Sequence, residues 1–262
     1  MCDEAERAAF QTDAAKARDL PAAGNPELRA TWDWVWKDTL GRLVPFGLAS
    51  AAYARYARVG AAGVGLSSAR WQREVATGLA AGVPLAAVAI AYRAAVAPRY
   101  RLPGAADQAL QSVFYLGMNA PIEELFWRGT VQSLSIRAAK HVPGLKKHST
   151  IAGWAATTAV FGLYHRLGNW SWKSVAGVTA AGGLYGALYI HSDPKRQSIV
   201  VPAIVHGFMT AGFLSWGDAA LHYLHAMTER SESGSRLRFW QKPKATARDG
   251  RCHKVSNELP RT

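Results

Sequence analysis

Five stretches of the chain contain no Asp, Glu, Lys or Arg: Val75–Tyr92, Gln108–Ile122, Ser149–His165, Ser174–Ser192 and Gln197–Gly217. Crossing the ~30 Å hydrocarbon layer of a bilayer takes about 20 helical residues, and several of these runs approach or reach that length. Backbone polar groups in lipid must be satisfied internally, so such runs have to be helices or closed barrels. No segment is β-rich, which leaves helices. The runs draw on Ala and Gly more than Leu and Ile, so each hydropathy signal is moderate, and a soluble helical bundle is the competing reading. The charges collect in the two tails and in short connecting clusters. This partition predicts an all-α chain: a polytopic transmembrane helical bundle of about six spans with flexible polar termini, and hence an integral, multi-pass membrane protein. Trp32, Trp34 and Trp36 precede an apolar stretch from Leu40 to Tyr56, as an interfacial aromatic belt would. The boundaries expected are a polar or amphipathic N-terminal segment at 1–38, a membrane helical domain at 39–228 and a basic disordered tail at 229–262.

Charge narrows the partners. With 31 Lys and Arg against 18 Asp and Glu, the formal net charge is +13. An excess of this size can mark nucleic-acid binding, but no helix here carries a basic-aromatic stripe, so nucleic acid is not expected. Basic loops facing anionic headgroups explain the same excess, with the lipid bilayer as partner. Orientation stays open, because the short loops on both sides are basic. Cys2 and Cys252 lie in opposite tails, which implies neither a disulfide framework nor a metal motif.

The charge-free pattern breaks sharply once. Residues 119–132 read NAPIEELFWRGTVQ, so Glu123, Glu124 and Arg128 arrive together at the end of an apolar run. Ionisable groups at such depth are costly and tend to be paired, functional or both. On a helix Glu124 and Arg128 are i,i+4 neighbours, while Glu123 lies about 100° round the axis and is free for other work. Two further apolar runs each bring a histidine, in the i,i+4 pairs Phe161 with His165 and His206 with Thr210. A carboxylate and two imidazoles, Glu123, His165 and His206, suit a catalytic zinc with an open fourth position. The same groups can also work without metal. Glu123 would take a proton from a water held by His165, and His206 would stabilise the oxyanion. Either scheme hydrolyses an amide. The plainer reading makes Glu124 and Arg128 a buried ion pair, each histidine a hydrogen-bonded core residue, and Phe161 packing that orients the His165 ring.

Taken in order, EELFWR (Glu123 to Arg128), FGLYH (Phe161 to His165) and HGFMT (His206 to Thr210) resemble the CPBP family of intramembrane proteases, the CAAX protease and bacteriocin-processing family. LYGALY and VVPAIVHG add to the likeness, which covers a protease-like core at about 108–214. The resemblance implies Glu123 as the water-activating carboxylate with His165 as its partner, and His206 at the oxyanion site. It also implies that Glu124 and Arg128 hold the architecture. It is compatible with a zinc metalloprotease and with a metal-independent glutamate protease. Thr210 stands where the family usually carries Asn or Asp, and its β-branched side chain has a shorter, stiffer reach.

The expected function is therefore an intramembrane endopeptidase acting near the membrane surface on a peptide or protein substrate, prenylated or otherwise membrane-bound. The alternative is a non-catalytic scaffold of the same type, serving immunity or partner binding, which Thr210 favours.

Overall fold

The computed structural model describes residues 26–66, 70–96, 104–168, 170–192, 197–224 and 227, and every regular element among them is helical. The all-α expectation holds for these residues. Residues 1–25, 169, 193–196 and the tail expected at 229–262 lie outside the described residues.

The helices are α1 (Pro26–Asp38), α2 (Val44–Tyr56), the single turn α3 (Gly60–Gly63), α4 (Trp71–Val96), α5 (Ala105–Phe114), α6 (Ala120–Glu124), α7 (Ser133–Ala139), α8 (Ser149–Arg166), α9 (Trp172–Ser192) and α10 (Val200–Ala211). A π-helical turn, Thr39–Leu43, joins α1 to α2. Two more, Tyr115–Asn119 and Leu125–Gln132, join α5, α6 and α7 into one interrupted rod. The two turns that carry the chain towards the site share a device. Val44 N–H bonds back five residues to Thr39 O and is followed by Pro45; Ala120 N–H bonds back to Tyr115 O and is followed by Pro121. Proline has no N–H to continue a four-residue ladder, so the ladder slips to a five-residue spacing just before it and re-aims the side chains there.

Small residues set the packing. Gly78 faces Ile204, Gly82 faces Phe208 and Gly212 faces Ala86. Steps of four on one helix match steps of four on the other, so α4 and the helix beginning with α10 run side by side in the same direction. Between α8 and α9 the order reverses: Gly182 lies on Phe161, Gly183 on Thr158 and Gly186 on Trp154, an antiparallel pair. Small residues at such faces let backbones approach closely, as helix packing in lipid requires.

Two helices, Trp71–Val96 and Val200–Leu224, are long and apolar enough to cross a membrane. Only 22% of the apolar window of the first is buried, and Leu79, Val83 and Val88 on it are exposed. An apolar helix turned outward over most of its surface suits a hydrocarbon surround. No other helix among the described residues meets the same measure. At the α1 end, Trp34 packs edge-on against Phe114 with centroids 5.2 Å apart, and Trp32, Trp34 and Trp36 are all exposed. A buried ion pair, Arg93 Nη2 to Asp218 Oδ1 at 3.0 Å, ties the end of α4 to the last helix.

Candidate active site

Glu123 and Glu124 occupy the last two positions of α6, between the two π-helical turns, and both are buried. Glu124 is the hub. Its Oε1 accepts a hydrogen bond from His206 Nδ1 at 2.8 Å, and its Oε2 lies 3.2 Å from Arg128 Nε in an i,i+4 ion pair. Arg128 is fully buried. Its Nη2 donates to Gly182 O at 3.1 Å, and its guanidinium lies 4.7 Å from the centroid of Phe161 and 5.7 Å from that of Tyr185. A buried charge needs a counter-charge and hydrogen bonds; Arg128 has Glu124, one hydrogen bond from Nη2 and two ring faces.

The glycine face of α9 makes this possible. With no side chains in the way, Gly182, Gly183 and Gly186 offer their carbonyls to Arg128 Nη2, Trp154 Nε1 and Gln132 Nε2 respectively. A methyl group on Gly182 would overlap the Phe161 ring, whereas one on Gly183 would meet nothing nearer than 3.5 Å. Gly182→Ala is therefore expected to destabilise the protein by about 1–3 kcal/mol through overpacking, and Gly183→Ala to leave it close to wild type. Thermal unfolding of the two variants in detergent checks this.

His206, on α10, is also buried. A carboxylate only accepts, so its Nδ1 carries the proton given to Glu124. The ring stacks on Tyr185, 4.6 Å between centroids and 17° between planes, and its Nε2 faces Glu123 Oε2 at 3.8 Å. That distance exceeds a direct hydrogen bond and is short enough for one bridging water.

His165 makes no described hydrogen bond or ion pair with Glu123. Its Nδ1 donates to Phe161 O at 2.8 Å, and its ring lies 5.1 Å from Trp170 and 4.8 Å from Phe161. The Phe161 ring also stands edge-on to His206 at 6.2 Å, so this one ring touches both imidazoles. Among the described contacts His206, and not His165, stands beside Glu123. Phe161 orients both rings, and its role is wider than packing against one. Thr210 lies half-buried one turn beyond His206, and no described contact joins it to Glu123 or His206.

Arg42 went unnoticed in the sequence. It sits in the first π-helical turn, where its Nε and Nη2 donate to Asp38 Oδ1 and Oδ2 at 2.8 and 2.6 Å, and its Nη1 donates to Glu123 Oε1. Asn119 Nδ2 reaches the same Oε1 at 3.3 Å. The signal was present: Arg42 is a charge inside the apolar stretch Leu40–Tyr56, three residues before a proline.

The donor chemistry of a zinc site is partly present, since each imidazole commits Nδ1 to a neighbour and keeps Nε2 free. The arrangement nevertheless does not fit a metal. Among the described residues no three His, Cys, Asp or Glu side chains gather as ligands, and the Arg42 guanidinium is seated on Glu123.

Comparison with known proteins adds one finding. Residues 105–212 match the model of a family described as Type II CAAX prenyl endopeptidase Rce1-like. No curated protein and no solved structure matches the chain. The matched region contains Glu123, Glu124, Arg128, Phe161, His165, His206 and Thr210, and excludes Asp38 and Arg42.

Proposed function

We propose that this chain, whose residues 105–212 match the Rce1-like CAAX endopeptidase family, is an intramembrane endopeptidase hydrolysing a peptide bond. One observation carries the proposal: Glu124 bridges Arg128 and His206, and so turns His206 Nε2 towards Glu123 Oε2 at 3.8 Å.

Water bound between those two atoms attacks the scissile carbonyl while Glu123 Oε2 takes its proton. With a second proton drawn from solvent and returned to it after product release, His206 has Glu124 as counter-charge, and its Nε2–H donates to the oxyanion of the tetrahedral intermediate. The C–N bond then breaks and Glu123 returns the proton to the departing amine. His165, packed against the Phe161 ring, lines the approach to this water. No step here passes through a metal. The substrate is a peptide or protein reached from the bilayer, prenylated or carrying another membrane anchor. The protein crosses the membrane several times, with Trp71–Val96 and Val200–Leu224 the most apolar of its spans.

The test compares peptide termini across membranes from cells expressing wild type, Glu123→Ala and His165→Ala. New termini that depend on wild type are expected, lost in Glu123→Ala and reduced in His165→Ala. Identical termini in all three, with every variant folded, would overturn the protease and favour the non-catalytic scaffold, to which Thr210 already points.

A further inference from the structure

The two oxygens of Glu123 have different neighbours. Oε1 receives Arg42 Nη1 and Asn119 Nδ2, while Oε2 is left facing His206 Nε2. A carboxylate free to rotate would present its oxygens interchangeably; this one is held from one side. Its holder is itself held, because Asp38 grips Arg42 through two parallel hydrogen bonds from Nε and Nη2. That fork is the strongest orientation a guanidinium and a carboxylate can adopt, and it leaves Nη1 as the donor aimed at Glu123. Burial also graduates along the chain of contacts: the side chains of Arg42 and Asp38 are 21% and 15% exposed, that of Glu123 5%. The partly exposed pair anchors the buried carboxylate.

We propose that Arg42 is a positioning residue for the reaction. It pins Oε1 so that Oε2 is the proton-accepting oxygen, and it supplies the counter-charge that lets Glu123 remain a carboxylate in apolar surroundings, where an unpaired one would take up a proton instead. Asp38 supports it. Asp38 and Arg42 belong to α1 and the turn after it, outside the matched residues 105–212. The site is therefore completed by the N-terminal helical segment and is not self-contained in the protease-like core. The assignment rests on the endopeptidase reading, with Glu123 as proton acceptor.

The experiment uses full-length protein in isolated membranes and a synthetic peptide spanning a cleavage point found by comparing wild type with Glu123→Ala. Arg42→Ala is expected to lower kcat by about ten- to a hundredfold, the worth of a charge-assisted hydrogen bond, with KM within about twofold because Arg42 is not proposed to touch substrate. Ethylguanidinium added to Arg42→Ala membranes should recover part of the lost kcat, and Arg42→Lys should fall between the two. A purely structural role would show neither recovery. Arg42→Gln, neutral and of similar reach, provides the same readout should Arg42→Ala fail to fold. Wild-type kcat in a folded Arg42→Ala or Arg42→Gln variant overturns the assignment, as does a loss that neither lysine nor ethylguanidinium relieves. Should wild type produce no termini beyond those of Glu123→Ala, the endopeptidase reading falls and this assignment falls with it. Cleavage by wild type with no dependence on Arg42 overturns this assignment alone.

Discussion

Glu123→Gln is expected to abolish wild-type-dependent peptide termini almost completely, lowering the rate by about 10²–10⁴, the usual range for a lost general base. The amide keeps the shape of the side chain and an oxygen for Arg42 Nη1 and Asn119 Nδ2, so the neighbours at Oε1 keep an acceptor. It has no carboxylate to take a proton from water. The expected pattern is thus a large loss of kcat with unfolding temperature close to wild type, measured in the same detergent. Full cleavage by a folded Glu123→Gln variant would remove Glu123 from the reaction as the proton acceptor.

The second large effect is expected on stability. Glu124 is fully buried and serves two partners, His206 Nδ1 and Arg128 Nε. Glu124→Ala would strand the Arg128 guanidinium in the core with only Gly182 O and two ring faces for company. Breaking a buried ion pair from one side typically costs about 3–5 kcal/mol, because the remaining charge stays desolvated without compensation. Replacing both partners with apolar residues of similar volume is often neutral. Glu124→Leu combined with Arg128→Met is therefore expected to unfold at a higher temperature than Glu124→Ala alone. It should still cleave poorly, because His206 has lost the group that orients it. Equal unfolding temperatures for Glu124→Ala and wild type would mean that Arg128 is solvated, contrary to its full burial.

Much of this was legible in the chain. Charge-free runs bounded by charged clusters dictate helices, since alternatives leave backbone groups unsatisfied in apolar surroundings. Helical spacing alone puts Glu124 and Arg128 on one face, and they meet there at 3.2 Å. The Gly182-x-x-x-Gly186 spacing marks a close helix contact, and that contact lies between α8 and α9. Local periodicity carries such information because each of these relations is settled within one or two turns of a helix.

Relations between distant segments were not legible, and the reasons are specific. The pairing of Glu123 depends on how α1, α6 and α10 cross, and π-helical turns before Pro45 and Pro121 rotate the relevant side chains away from regular α-helical register. Uniform helical periodicity cannot anticipate those turns, so it offered no means of choosing between His165 and His206 as the neighbour of Glu123. Arg42 was hidden for the same reason: it lies 81 residues from its partner, and nothing local to either residue signals the other.

What the sequence determined by itself is the class of fold, the depth of the carboxylates in apolar surroundings and the inventory of groups able to hydrolyse an amide. The tertiary structure alone decided their partners. It put His206 Nε2 opposite Glu123 Oε2, packed His165 against the Phe161 ring, and brought Arg42 from the N-terminal helices onto Glu123 Oε1. Burial and periodicity are properties of single segments, whereas the orientation of a carboxylate depends on every segment that reaches it.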